Sequence, residues 1–347
     1  MSKEALYGKT LSELKTCVKD LGLPAFTSKQ IADWLYKKHV TTIDDMTNLS
    51  KKARTELNDK YEVGLMPPQS FQESVDGTKK YLYQTSNNQF IEAAYLPEDN
   101  RNTLCISSQV GCKMGCLFCM TARQGFQKNL TSNEILNQIA SLPERDTLTN
   151  VVYMGMGEPM DNIENVLKSL EIITAEWGYA WSPRRINVST IGVVPAMRRF
   201  IEESEAHLAI SLHSPFNDER KQLMPIENVY TAEKVIEALR DYDFGRQRRI
   251  SFEYIMFKGV NDSPQHVKGL LQLLNGIKCR VNLIHFHPIP NSPLEGSDYK
   301  TMEFFRDKLS QKGITTTIRK SRGEDIYAAC GLLSTKKLIK ENNEKDY

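Results

Sequence analysis

The stretch LCISSQVGCKMGCLFCMT, residues 104–121, decides how the rest of the chain is read. Leu104–Ser108 reads as a β-strand. The loop after it holds Cys112, Cys116 and Cys119, a CxxxCxxC with glycine on both sides. Thiolates at such close spacing can converge on one centre from a single loop, and Gly111 and Gly115 let the backbone fold tightly around it. The chain has seven cysteines, an odd number, with Cys17, Cys105, Cys279 and Cys330 outside the trio. That argues against a disulfide framework and for metal or redox chemistry. A closed structural zinc site wants four ligands, and no fourth cysteine or histidine lies within the loop. Three thiolates on a 4Fe-4S cluster leave one iron open, and this reading is preferred to zinc.

Outward from that loop, strand and helix alternate. Further strands are expected at Asn150–Gly155, Arg185–Thr190, Ala206–Leu212, Arg249–Phe257, Arg280–His287 and Thr315–Lys320. Helical periodicity falls between them at Ser132–Leu142, Ile163–Thr174, Val194–Glu202, Ala232–Tyr242, Gln265–Asn275 and Tyr299–Gln311. Repeated βα units predict a parallel sheet, either a whole or partial (β/α) barrel or an open doubly wound sheet, and periodicity alone does not choose. In a barrel, ligands sit at the C-terminal ends of the strands.

Residues 1–68 read as a small helical domain. Leu11, Leu14, Val18 and Leu21 repeat at helical spacing before Gly22, and Ser28 and Ser50 are placed to cap two more helices. Pro67-Pro68 marks a boundary. Residues 69–97 read as a β-rich connector of three strands, FQESV, KKYLYQT and QFIEAAY, with turns at Asp76-Gly77 and Asn87-Asn88. The core domain spans 98–335, and 336–347 is a polar tail.

The 347 residues are 40% hydrophobic and 25% charged, with net charge +2. That balance is globular and excludes a disordered chain. No 18-residue apolar run predicts a membrane span, and no export signal is read at the N-terminus. The expected place is the cytoplasm. So small a net charge does not by itself declare a nucleic-acid partner.

Polar residues collect where the strands end. Met154-Gly-Met-Gly157-Glu158-Pro159 follows the second strand, with Gly157 permitting close backbone approach and Glu158 suited to an ammonium group. Ser189 ends the third strand, Ser211-Leu212-His213 the fourth, and His285 and His287 the sixth.

Cys112, Cys116 and Cys119, with Phe118 before the last, resemble the signature of radical S-adenosylmethionine (radical SAM) enzymes. The resemblance implies a full or partial barrel, a 4Fe-4S cluster on those three cysteines, and SAM on the open iron. It also implies that Gly157 and Glu158 hold the methionine amino group, with Ser189, Ser211, Leu212, His213 and His287 as further SAM contacts. Relatives carry asparagine at the position of His287, and imidazole replaces one amide hydrogen bond but not both.

RGEDIYAACG at 322–331, the spacing of Glu92, Cys105 and Cys112, and SLH at 211–213 closely resemble adenine methyltransferases of the RlmN/Cfr type, over nearly the whole chain. The fold so implied is α/β, a partial (β/α)6 TIM-type radical SAM barrel with a small N-terminal helical accessory domain. In such enzymes carbon-2 of adenine is too electron-poor for polar methyl transfer, so two SAM molecules are used. The resemblance makes Cys330 the methyl acceptor, Cys105 the resolving thiol that forms a disulfide with it, and Glu92 the general base. It implies substrates in 23S rRNA and tRNA, an electron donor such as flavodoxin or ferredoxin, and a monomer. Taken alone, Glu92 also fits a solvated strand carboxylate. Pro159 and Arg322-Gly323 favour carbon-2 over the carbon-8 chemistry of the Cfr branch. A non-catalytic zinc-stabilised RNA-binding protein is the rival from another class.

Basic residues recur in local groups: Lys51-Lys52-Arg54, Arg184-Arg185, Arg198-Arg199, Arg246-Arg248-Arg249 and Arg319-Lys320-Arg322. Their recurrence suits phosphate contacts. Trp34 and Tyr36 read as core packing in preference to base stacking.

Overall fold

The computed structural model describes residues 3–245 and 248–335. The tail expected over 336–347, and Arg246, lie outside the described residues. Among the latter, ten strands form one sheet. In chain order they are β1 (Ser70–Glu73), β2 (Lys79–Gln84), β3 (Phe90–Leu96), β4 (Thr103–Cys105), β5 (Asn150–Tyr153), β6 (Ile186–Thr190), β7 (His207–Ser211), β8 (Ile250–Met256), β9 (Arg280–His285) and β10 (Thr315–Ile318). Each strand pairs with its sequence neighbours, antiparallel from β1 to β4 and parallel from β4 to β10. A doubly wound sheet reverses its strand order at a switch point. This order never reverses, so the winding is that of a barrel. β1 and β10 are not paired with each other, so the barrel is partial. The three connector strands extend the same sheet.

The helices are α1 (Leu11–Asp20), α2 (Thr27–Tyr36), α3 (Lys51–Lys60), α4 (Met120–Gln124), α5 (Ser132–Ala140), α6 (Ile163–Thr174), α7 (Val194–Glu203), α8 (Asn217–Leu223), α9 (Ala232–Arg240), α10 (Pro264–Leu273) and α11 (Tyr299–Gln311). Capping boxes at Thr10/Glu13 and Thr131/Glu134 start α1 and α5 by satisfying first-turn amides. Ser50 caps α3 as expected. Ser28 does not cap α2: that helix begins at Thr27, and the Ser28 hydroxyl donates back to the Ala25 carbonyl at 2.7 Å. Tyr36 is buried and its hydroxyl donates to Lys9 O at 2.6 Å, which makes it core. The N-terminal helices dock on α5 through backbone carbonyls. Ser132 Oγ donates to Gly8 O at 2.9 Å, and Asn133 Nδ2 to Tyr7 O and Gly64 O, each at 3.0 Å.

The two faces of the sheet differ. Leu104, Val151, Tyr153, Val188, Leu208, Ile210, Phe252, Tyr254, Val281 and Leu283 join the main apolar core with residues from the helices. The alternate positions Asn150, Asn187, Ser251, Glu253, Asn282 and Thr317 line an inner cavity instead. Period-two alternation thus separates an apolar outer layer from a polar lumen.

After β10 the chain runs as a strap, residues 321–335, back to the hairpin of β1 and β2. Arg322 donates to Asp76 O at 3.1 Å and Pro97 O at 3.2 Å, and Gly323 N donates to Asp76 Oδ2 at 3.0 Å. Gly323 has φ +61°, and a Cβ there would meet Ala328 Cβ at 2.7 Å and Thr78 Cγ2 at 2.8 Å, so only glycine fits the crossing.

Helix α8, NDERKQL, has too few apolar residues to show a period, yet its Arg220 is fully buried. The guanidinium pairs with buried Glu227 and donates to Leu212 O at 3.1 Å, Ser211 O at 3.2 Å and Ile191 O at 2.9 Å. It fixes the ends of β6 and β7. Arg220→Met leaves the Glu227 carboxylate stranded and is expected to cost about 3–5 kcal/mol of unfolding free energy, read from urea midpoints. Adding Glu227→Met should recover much of the loss. A cost near zero for the single variant removes the pair from the account of stability.

Candidate active site

The cysteine loop is pinched at its base by the two-residue strands Gln109–Val110 and Lys128–Asn129. Gly111, at φ +69°, lies so close to the Gly125 carbonyl that a Cβ would meet its oxygen at 1.7 Å. Cys112 and Cys116 are buried and Cys119 is half-buried. Burial pushes the Cys112 thiol up to about 12. Burial also raises Cys116, followed by the charges of Cys119 and Cys112, and burial raises Cys119. Three neighbouring thiols in an apolar pocket become thiolates only with a cation to hold them. Among the described residues no three His, Cys, Asp or Glu side chains are grouped around a single-ion site. A 4Fe-4S cluster takes soft thiolate ligands, and the mutually neighbouring thiols of Cys112, Cys116 and Cys119 are such a donor set.

Glu158 stands beside the trio and is buried. Its carboxylate accepts from Met160 N and Ile191 N, each at 3.1 Å. Burial pushes its carboxyl up to about 7, against the hydrogen bond from Thr190. Gly157, at φ +98°, leaves no room for a Cβ, which would meet Gln109 Cβ at 2.5 Å. Ser189 lies on the inner face of β6 beside Thr190, half-buried. Ser211 and Leu212 are bound through their carbonyls by Arg220. His213 is buried, accepts from Ile255 N at 3.0 Å through Nδ1, and meets the Phe118 ring edge-on at 4.8 Å. Burial lowers its imidazole to about 3, so it stays neutral.

Cys105 and Cys330 share a cavity of about 230 Å³. Cys105 is buried and Cys330 is exposed. Burial pushes the Cys105 thiol up to about 12, Cys330 adds to this, and Arg319 opposes it. The Arg319 guanidinium is itself raised, first by the charge of Cys330, and it lies 3.3 Å from Glu253. His287 lines the same cavity, with Nε2 at 2.8 Å from Ser321 Oγ and Nδ1 at 3.4 Å from Glu324. It stands with the outlying cysteines and not beside Glu158. The strap joins this chamber to the cluster loop: Met120 N donates to Gly331 O at 2.8 Å, and Thr121 Oγ1 donates to Leu333 O at 2.6 Å. Glu92 is 1% exposed, which excludes a solvated carboxylate. It accepts from Ser334 N at 2.9 Å and faces Lys80 Nζ at 3.1 Å. Burial raises its carboxyl, and Lys80 opposes the rise.

Arg319, Lys80 and Arg220 were not singled out as site residues in the sequence. Arg319 sits in a basic run that reads as phosphate contacts, yet it follows β10 directly and continues the alternation of Thr315 and Thr317, with which it lines the inner cavity. Lys80 meets Glu92 diagonally across the β2–β3 register, in which Leu82 is opposite Glu92 and Lys80 opposite Ala94.

Residues 106–273 match the radical SAM superfamily, and residues 5–63 match the ribosomal RNA large subunit methyltransferase N-terminal domain. The chain is 60% identical over 342 residues to a probable dual-specificity RNA methyltransferase RlmN of Bacteroides fragilis, covering 99% of each. It is 40% identical over 342 residues to the dual-specificity RNA methyltransferase RlmN of Syntrophus aciditrophicus, covering 97% of this chain and 98% of that one. The crystal structure of a radical SAM methyltransferase from Sphaerobacter thermophilus superposes with a TM-score of 0.89 at 38% identity, covering 95% of this chain and 99% of that one.

Arg319→Met is expected to slow iodoacetamide alkylation of Cys330, followed by mass spectrometry of its peptide, because the guanidinium beside the thiol is lost. An unchanged rate takes Arg319 out of the thiol's electrostatic environment.

Proposed function

The chain belongs to the RlmN family of radical SAM RNA methyltransferases, and on that footing we propose that it methylates carbon-2 of adenine, in the peptidyl-transferase centre of 23S rRNA and 3′ to the anticodon of certain tRNAs. Membership sets aside the zinc-stabilised, non-catalytic alternative. The observation that supports methyl transfer through cysteine is the pairing of an exposed Cys330 with a buried Cys105 in one chamber, beside Arg319 and hydrogen-bonded onward to the cluster loop, while the choice of carbon-2 rests on Pro159 and Arg322-Gly323.

Cys112, Cys116 and Cys119 hold the 4Fe-4S cluster. When bound, that cluster supplies the electron that splits the sulfonium of SAM and releases a 5′-deoxyadenosyl radical. Gly157 and Glu158 orient the amino group of SAM, and Ser189, Ser211, Leu212, His213 and His287 hold the rest of it. The Cys330 thiolate, steadied by Arg319, displaces the methyl group of a first SAM and carries it as S-methylcysteine. That methyl group would lose a hydrogen atom to the radical so formed, and the resulting carbon radical would add to the adenine ring, the adduct then giving its unpaired electron back to the oxidised cluster. Glu92 takes the ring-carbon proton, and its buried setting gives a carboxylate a stronger pull on protons. Cys105 then attacks Sγ of Cys330, breaking the S–C bond, forming a disulfide and freeing the methylated base. External reductant restores both thiols. A flavodoxin or ferredoxin as electron donor, a cytoplasmic setting and a monomer complete the reading. Among the described residues, no helix is long and apolar enough to cross a membrane.

Two measurements test it. Nucleosides from deletion cells should lack 2-methyladenosine in 23S rRNA and tRNA. Unchanged 2-methyladenosine with loss of 8-methyladenosine would establish the other branch. Cys105→Ala should leave RNA covalently attached through Cys330, seen as a shifted band on denaturing gels. Free RNA alone would deny Cys105 the resolving role.

A further inference from the structure

A cavity of about 1320 Å³ occupies the barrel lumen and opens beyond the N-terminal ends of the strands. Arg101, Arg184, Arg249 and Arg280 are in its lining. The topology puts all four at one mouth: Arg101 and Arg184 each stand two residues before β4 and β6, Arg249 directly before β8, and Arg280 at the first position of β9. All four are exposed, and no carboxylate among the described residues pairs with them. Other arginines of the lining have internal duties. Arg185 donates to Leu148 O at 2.6 Å and stacks on Trp181 at 3.7 Å, Arg248 donates to Ile201 O at 2.7 Å, and Arg240 donates to Asn275 O at 3.0 Å. The acids of the lining are Asp243, exposed, and Glu253, which is taken by Arg319 and Asn282.

The crowding of like charge shows on its neighbours. Arg249 is lowered by partial burial and then by Arg280 and Arg101. His207 is lowered to about 4, first by burial and then by Arg249, Arg248, Arg184 and Arg280. Unpaired guanidinium groups held together in this way repel one another until an anion arrives.

The lumen leads to the chemistry. The large cavity and the chamber of Cys105 and Cys330 share Arg101, Val152, Met154 and Arg319 in their linings. Along the way stands Asn187, whose Oδ1 is buried without a hydrogen-bond partner. The opposite mouth carries the cluster loop, since that loop follows the C-terminal end of β4. The arginines therefore stand at the mouth away from the cluster loop.

We propose that the N-terminal mouth of the barrel is where RNA docks: Arg101, Arg184, Arg249 and Arg280 hold phosphates on either side of the target, and the extruded adenine reaches Cys330 through the polar lumen. This rests on the RNA-methylating reading above. A base must leave its stack to enter a barrel, and phosphate contacts position the strand without reading its sequence.

The test is RNA binding by the full, cluster-loaded chain with alanine at all four positions, using a tRNA transcript and anisotropy over a range of salt. The slope of log Kd against log salt should fall by about 0.7 per arginine, close to 3 in all, with weaker binding at every salt tested. RNA-free SAM cleavage under dithionite should stay at wild-type levels. Lysine at the four positions should restore the slope, and alanine at Arg198 and Arg199, which already pair with Asp241, Glu164 and Glu203, should leave it unchanged. An unchanged slope in the four-alanine protein, or an equal fall in the Arg198/Arg199 control, overturns the proposal. Wild-type protein that methylates no RNA would instead overturn the function reading, and the two failures are distinguishable.

Discussion

A hydrogen bond between two backbone groups more than two hundred residues apart, Met120 N to Gly331 O, sets the geometry on which the site depends. It joins the residue after the last cysteine of the trio to the residue after Cys330. Thr121 with Leu333, and Glu92 with Ser334, extend the same seam. The sheet alone brings the trio and Cys105 together, because both follow from β4. It has no means of placing Cys330, which lies beyond its last strand. The strap does this by crossing the open side of the barrel, and its anchors on Asp76 and Pro97 fix where the crossing begins.

The barrel divides its labour by strand periodicity. One set of alternate residues goes into an apolar layer shared with the helices, where burial stabilises the fold at about 25 cal/mol per Å² of apolar surface. The other set faces a lumen too polar to be a packed core. A barrel interior filled with branched side chains would be the more stable choice. Here the sheet instead keeps asparagine, serine and threonine inside, and the main stability comes from the outer layer.

Much of this was legible in the sequence. The βα alternation was, because apolar periods of two and 3.6 survive in segments that bury one face. α6 and α11 have the expected bounds, Ile163–Thr174 and Tyr299–Gln311. The choice between barrel and doubly wound sheet was not legible from periodicity, since strand order is a long-range property. α8 was hidden because its buried side chain is an arginine, whose cost is offset by Glu227 and four carbonyls that no local pattern reveals. The environment of Glu92 depended on cross-strand register and on Ser334, far along the chain. Arg319 was visible as a charge, but its neighbours were not. The cysteine trio could be read locally because all its members share one loop.

The position of the strap also orders the assembly of the molecule. A chain is made from its N-terminus onward. The half-cylinder and its cysteine loop therefore leave the ribosome before residues 321–335 do. Until they do, the cysteine loop has no strap to bond to, and the chamber of Cys105 lacks Cys330. The hydrogen bonds from Met120 N to Gly331 O and from Thr121 Oγ1 to Leu333 O can form only after that, so the seam between the two cysteine sites is the last part of the core to be completed.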